Sequence, residues 1–163
     1  MIYEKTALEG YTKIGEIIEW MDEAFLKRAS APYVKGQTAQ KQAERLIDLI
    51  EKKKRLIDFY YDVKEATESL KEEHRLLLEE KYGVIEPMNI ERNRNYFRKL
   101  LLATDKFGKA MEERGYDETK YKKLIKEFFF LSEIYARRKA KEEACRKRGV
   151  LHNFTGVSLV GSR

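Results

Sequence analysis

Apolar residues recur every three or four positions along most of this chain, which is the spacing of helices with one buried face. The first such stripe predicts a helix over about residues 6–28. A segment with Pro32 and Gly36 interrupts the pattern, and a near-heptad stripe then predicts a long helix over residues 38–67, with Thr38 as its cap. At about 45 Å, this helix is either one member of a bundle or long enough to pack on a partner helix or a second copy.

Further helices are expected in the second half of the chain. Ser69 and Glu72 have the spacing of a capping box, so a third helix should start there, and Gly83 can supply its left-handed stop. A short connector follows that is too brief for a full helix. Asn89 or Asn93 then caps a fourth helix.

The fourth helix is expected to last until Gly115, and Asp117 or Thr119 opens a fifth. The fifth helix is apolar on most faces at first, which predicts deep packing, and strongly basic in its later turns. Gly149 is expected to end it.

The five stripes predict an all-α fold, a helical bundle with a degenerate helix-turn-helix in its second half. Two prolines and nine glycines in 163 residues, with 38% charged residues, also suit helices with solvated outer faces. We expect one compact unit made of four consecutive parts. These are an N-terminal helical hairpin (1–68), a helix-turn-helix-like segment (69–115), a long C-terminal helix with a basic end (116–149) and a flexible tail (150–163).

The net charge of +6 lies wholly in the second half of the chain. Residues 1–90 carry 15 Lys+Arg against 18 Asp+Glu, whereas residues 91–115 carry 7 against 4 and residues 116–149 carry 11 against 6. Such an asymmetry indicates either a polyanion-binding C-terminal half or a set of solvated Lys/Arg faces.

Cysteine usage and hydropathy bear on the compartment. The single Cys145 excludes an internal disulfide, which suits a reducing environment. The first residues lack the arrangement of a signal peptide, and no apolar run approaches the length of a membrane span. We therefore expect a cytoplasmic protein with no membrane association.

No catalytic constellation stands out. The two histidines, His74 and His152, are far apart and neither has a metal-ligand spacing. Cys145 has no histidine near it in sequence, and no glycine-rich phosphate loop or dinucleotide fingerprint occurs. We expect no enzyme activity, no metal and no cofactor.

The opening of the fourth helix, by contrast, is polar and basic. Asn93, Arg94, Asn95, Arg98 and Lys99 can all donate hydrogen bonds, while the rest of the helix carries an apolar stripe. Arginine pairs with guanine and asparagine with adenine in the major groove, and a recognition helix has this layout. The alternative interpretation is an exposed amphipathic helix with ordinary polar capping.

A second set of cations would contact phosphates, which position a protein on DNA without specifying sequence. These secondary candidates are Arg92, Lys106, Lys109, Arg137, Arg138 and Lys141.

Two segments resemble known families. Residues 72–82, Glu-Glu-His-Arg-Leu-Leu-Leu-Glu-Glu-Lys-Tyr, resemble the opening helix of a sigma-factor region-four domain. Residues 95–99, Asn-Tyr-Phe-Arg-Lys, followed by Ala103, Phe107 and Ala110, are similar to the recognition-helix end of the ArpU/RinA phage transcriptional regulators. The long second helix also resembles the coiled N-terminal part of small Firmicutes and phage region-four-like proteins.

The resemblance spans about residues 39–115 and implies sequence-specific DNA binding, or contact with RNA polymerase, in transcription control. The residues that it implies at the DNA are Arg94, Asn95, Arg98 and Lys99. The family's middle helix would have to fit between Gly83 and Asn93, a segment that contains Pro87. Either that helix is reduced to a single turn, or the two matching pieces do not form a DNA-binding unit.

Two other classes of function stay open. A helical interaction or assembly protein would use the 38–67 helix, which could also pair two copies as a homodimer, together with the Phe128-Phe129-Phe130 segment. A ribonucleoprotein subunit would bind RNA non-specifically through the basic C-terminal helix and would need no helix-turn-helix. The first class predicts binding that barely responds to salt, whereas nucleic-acid binding weakens steeply with salt.

Overall fold

The computed structural model describes residues 1–31 and 38–155, the last six of these by their backbone only. Within these ranges the secondary structure is entirely helical, which confirms the predicted all-α class. The helices are α1 (Ile2–Tyr11), α2 (Ile14–Ser30), α3 (Ala39–Glu68), α4 (Glu72–Lys81), α5 (Arg94–Glu113), α6 (Glu118–Glu127) and α7 (Phe129–Thr155).

The predicted count of about five helices is wrong, because two predicted helices are each divided in two. The first breaks between α1 and α2, where the Lys13 N–H donates to the Gly10 carbonyl at 2.9 Å. The other breaks at Phe128, which is extended (φ −109°, ψ 110°) and buried. Three consecutive phenylalanines cannot all face one side of a helix, and the break places Phe128 in the core while Phe129 stays exposed.

The core lies between α3 and the helices that surround it. Leu56, Phe59 and Val63 of α3 are almost fully buried, as are Phe107 of α5 and Leu131 of α7. Helix α1 contacts α3, α5 and α7, so the first and the last of the described helices pack against each other. Helix α2 packs along α3, and α4 packs on α5.

The connector between α4 and α5 contains no helix. Gly83 (φ 75°) ends α4 as expected, and the Val84 N–H closes the turn onto the Glu79 carbonyl at 2.8 Å. The chain then runs without regular structure to Arg94. A helix-turn-helix joins its two helices by three or four residues, so this longer connector leaves the motif a hypothesis.

Helix α7 continues to Thr155, beyond Gly149, where the sequence predicts its end. The predicted flexible tail therefore begins as helix, and residues 156–163 lie outside the described residues. None of the described helices is long and apolar enough to cross a membrane.

Candidate nucleic-acid interface

Helix α5 is fixed to α4 at its first turn. The Asn93 side chain caps the helix by accepting from the Tyr96 N–H at 3.1 Å, so Asn93 and not Asn89 is the cap. Tyr96 is only 4% exposed, and its hydroxyl donates to the Glu80 carboxylate at 3.0 Å. Burial and this carboxylate raise the pKa of Tyr96, so the hydroxyl keeps its proton and its role as donor.

Apart from Tyr96, the start of α5 is exposed and does not pack into the core. Between Glu91 and Lys99, Tyr96 alone is buried, and every other residue is exposed. The side chains of Arg94, Asn95 and Arg98 make no hydrogen bond or ion pair with the described part of the chain. These three donors are therefore free to contact a ligand, beside the positive end of the helix dipole.

Two neighbouring cations are already paired. The Arg92 guanidinium lies 3.4 Å from Glu80, and the Lys99 ammonium binds the Glu73 carboxylate of α4. The bond from Lys99 lowers the pKa of the Glu73 carboxyl. The Lys99 pair is exposed at both partners, so it is weak and can exchange with a phosphate.

The other predicted phosphate contacts on α5 lie farther along the helix. Lys106 is about 18 Å from Arg94 at 1.5 Å per residue, and Lys109 pairs with Asp105 at 3.1 Å. Between them and the helix start, Leu101 and Leu102 are exposed. The donors at the start of α5 therefore form a separate patch.

Two of the three predicted contacts on α7 are paired with α1 and not with the start of α5. Arg137 and Arg138 both bind the Glu9 carboxylate of α1, with 2.5 Å between Arg138 Nη2 and Glu9 Oε2. The Arg138 guanidinium also lies over the Tyr82 ring, 5.7 Å from its centroid. Tyr82 is on roughly the opposite side of α4 from Glu80, the residue that binds the start of α5. Lys141 is exposed on α7. Arg137 and Arg138 thus hold α7 to α1.

The carboxyl half of α7 is exposed on almost every side from Lys139 to Gly149, with Glu142 half-buried. Three cations stand close together there at residues 146–148. A helix that is polar all round is solvated or binds a charged partner. This end is therefore a second basic surface, distinct from the start of α5.

An apolar groove lies elsewhere, between α2, α3 and the α6–α7 junction, and has a volume of about 690 Å³. Trp20 and Phe129, at its walls, are 64% and 76% exposed. The sequence predicts a binding role for the Phe128-Phe129-Phe130 segment, but it does not predict that Trp20 lies on the same surface. Nothing local could have shown this, because the two lie more than one hundred residues apart.

The residues considered for catalysis are not assembled into a site. His74 is half-buried on α4 and Cys145 is exposed on α7. Among the described residues there is no group of three or more His, Cys, Asp and Glu side chains arranged to hold a metal ion. The absence of enzyme activity stays a prediction.

The two segments that carry the family resemblance meet in the fold. Residues 72–82 form α4 and its end, residues 95–99 lie in the first turns of α5, and the two helices pack on each other. The family's middle helix would fall in the connector, which has none. No protein-family model, no curated protein and no solved structure matches this chain.

Proposed function

We propose that this protein is a DNA-binding transcription regulator of the region-four-like type, with α5 as its recognition helix. The observation that carries the proposal is the exposed start of α5, where Arg94, Asn95 and Arg98 have no partner in the described structure and Tyr96 anchors the helix. A recognition helix reads bases with side chains of its amino-terminal turns, so these donors are on the required part of the helix.

The chemistry of the three donors supports base reading. An arginine can donate two hydrogen bonds to a guanine and an asparagine can pair with adenine, each contact discriminating by about 1–3 kcal/mol. Arg94 and Arg98 are one helical turn apart and therefore share a face. Asn95 lies about 100° around the helix from Arg94. Lys99 and Arg92 would flank them at phosphates.

The outer face of α3 supports a dimeric form of this regulator. Ile47, Ile50 and Tyr61 lie on one exposed stripe of the helix, opposite its buried stripe. Regulators of this kind commonly bind as dimers to paired half-sites. We propose a homodimer through residues 38–67, which sedimentation equilibrium of the wild type beside Ile50→Glu would test. A wild-type mass of one chain at high concentration would exclude it.

The DNA proposal is tested by selection from a pool of random-sequence duplexes. The wild type is expected to enrich a motif, and the Arg94→Ala, Arg98→Ala double variant is expected to lose it, with affinity reduced about tenfold or more because two base contacts are removed. The matched control is Lys123→Ala with Lys126→Ala, two exposed cations of α6, which changes the charge equally and should keep the motif.

The outcomes separate the candidate functions. A motif retained by the Arg94/Arg98 variant would show that another surface reads DNA. Salt-sensitive binding to single-stranded RNA and duplex alike, abolished by removing the cations at 146–148, would favour the ribonucleoprotein role. Absence of any nucleic-acid binding at low salt would overturn the proposal.

A further inference from the structure

The apolar groove beside Trp20 has the composition of a protein-binding site. Its floor and walls are mainly apolar, with Ile17 and Met21 of α2, Leu49 of α3 and Phe128 contributing. Large exposed aromatic residues are unfavourable in water, and an apolar patch rimmed by polar residues marks an interaction surface. Tryptophan is also enriched among the residues that dominate binding energy at interfaces.

The shape of the groove fits a helix. Along α2 its lining runs from Ile17 to Arg28, which is about 16 Å, or three helical turns. Along α3 it runs from Arg45 to Lys52. An elongated apolar groove between helices is the usual receptor for an amphipathic helix that presents residues at i, i+3 or i+4, and i+7.

The charge at the rim selects the partner. The groove is lined by three cations and one acidic residue, which are Arg28, Arg45, Lys52 and Asp48. Arg28 and Arg45 are exposed, and their guanidinium groups make no ion pair within the described residues. The Lys52 ammonium lies over the Phe128 ring, 5.4 Å from its centroid, at the edge of the apolar floor.

We propose that this groove binds an amphipathic helix of a partner protein, one with an aromatic or aliphatic face and acidic residues along its flanks. The apolar face would cover Trp20 and Phe129, and the acidic flanks would pair with Arg28 and Arg45. None of these residues belongs to the start of α5, so the proposal does not rest on DNA binding.

The test uses Trp20, the only tryptophan of the chain, as the reporter. The probe is a synthetic amphipathic peptide of about four helical turns, with Leu and Phe on one face and Glu on its flanks. The matched probe has Lys in place of every Glu. Because Trp20 is exposed, docking of the Glu peptide is expected to shift its emission to shorter wavelength, whereas the Lys peptide is expected to bind at least tenfold more weakly.

Three variants locate the site. Phe129→Ala is expected to weaken the Glu peptide at least tenfold, and its exposure means that the fold is not at risk. Arg28→Glu with Arg45→Glu is expected to reverse the preference towards the Lys peptide. Leu102→Ala, an exposed apolar residue of α5 that does not line the groove, is the control and should bind as the wild type does.

Several results would overturn the proposal. One is no emission shift at millimolar Glu peptide, and another is equal binding of the two peptides. A third is an emission shift that grows with protein concentration without peptide and disappears in Phe129→Ala, because a second copy would then occupy the groove.

Discussion

Among the individual side chains, Glu80 determines how the start of α5 is held. Its side chain is 2% exposed, and its carboxylate accepts from the Tyr96 hydroxyl, with the Arg92 guanidinium nearby. A buried carboxylate is tolerated only when hydrogen bonds and a counter-charge compensate for its lost hydration. One side chain of α4 thus joins the connector and α5.

The first prediction follows from that bond. In Tyr96→Phe the ring still fills its place, but Glu80 loses a hydrogen bond in a buried setting. The free energy of unfolding is expected to fall by about 1–3 kcal/mol, measured by urea denaturation. Tyr61→Phe, at a tyrosine of α3 that is exposed in the single chain, is the control. At a protein concentration where the chain is monomeric it should change the free energy of unfolding by less than about 0.5 kcal/mol. Equal effects of the two variants would mean that the bond to Glu80 contributes nothing.

The predictions for single residues are confirmed only where the interaction joins residues within one helical turn. Thr38 caps its helix as predicted, and Asn93 and Asp117 are the caps that form among the predicted alternatives Asn89 or Asn93 and Asp117 or Thr119. A cap is set by residues within one turn, which is why it can be predicted locally. The Ser69–Glu72 capping box is wrong, since Ser69 instead follows the end of α3. The pairing of Arg137 with Glu9 spans 128 residues of sequence and could not be foreseen from either neighbourhood.

At the scale of helices, the close contact between α1 and α7 depends on Gly10. A Cβ atom at Gly10 would lie 2.4 Å from Leu131 Cδ2, and Leu131 is itself buried with little freedom to move. Glycine lets the two helices approach, although it is a poor helix former. At Gly10 the close packing of α1 on α7 is therefore accompanied by a loss of local helix stability.

The second prediction compares two glycines. Gly10→Ala is expected to lower the free energy of unfolding by about 1–3 kcal/mol through overpacking. Gly15→Ala, where the added Cβ meets nothing within 4 Å, is expected to raise it by about 0.4–1 kcal/mol because alanine has less conformational freedom in the unfolded chain. Thermal or urea unfolding measures both. Stabilisation by both substitutions would show that α1 and α7 do not pack as closely as described.

The helix breaks explain why the number of elements was underestimated. An apolar stripe of period 3.6 has the same appearance whether one helix continues or two helices follow each other at an angle. At Phe128 the break is decided by which phenylalanine the core accepts, and between α1 and α2 the chain breaks at Thr12 and Lys13 so that the two helices can pack on different neighbours, α1 on α7 and α2 on α3. Both are tertiary effects between distant segments. The exposed start of α5 was foreseen, because capping and polarity are local.

Across the whole molecule, several tyrosines are held in their neutral form. Burial, with smaller effects of Tyr135 and Glu118, raises the pKa of Tyr3 to about 12. Burial is also the main cause that raises the pKa of Tyr116 and Tyr121 above the ordinary value. Tyr116 donates to Asp62 at 2.5 Å, which adds to its shift.

The third prediction is loss of the fold at alkaline pH. The pKa of these tyrosines is higher in the fold than in the unfolded chain, where it is about 10. Their contribution to the free energy of unfolding is therefore complete below about pH 10 and is lost as the pH rises through the folded-state pKa. Phenolate absorbance of these tyrosines should therefore appear together with loss of helical circular dichroism, above about pH 10. Titration of all ten tyrosines near pH 10 with the helices intact would contradict it.

Two of the surfaces that the described residues form, the start of α5 and the groove beside Trp20, differ in chemistry. The start of α5 offers polar donors, and the groove beside Trp20 offers apolar area with a basic rim. A regulator that binds DNA with one surface and a partner protein with the other would need this separation. The sequence indicated the first surface, whereas the second is assembled from α2, α3 and α7 and emerges only in the fold.

Backbone amide mapping shows which part of the protein contacts DNA, and the start of α5 is the surface proposed to do so. In a nitrogen–proton correlation spectrum titrated with the selected duplex, the amides of residues 92–99 are expected to shift most. Amides around Trp20 should stay unchanged, because the groove is a separate surface. Shifts confined to the basic turns of α7, or no shifts at low salt, would contradict the claim.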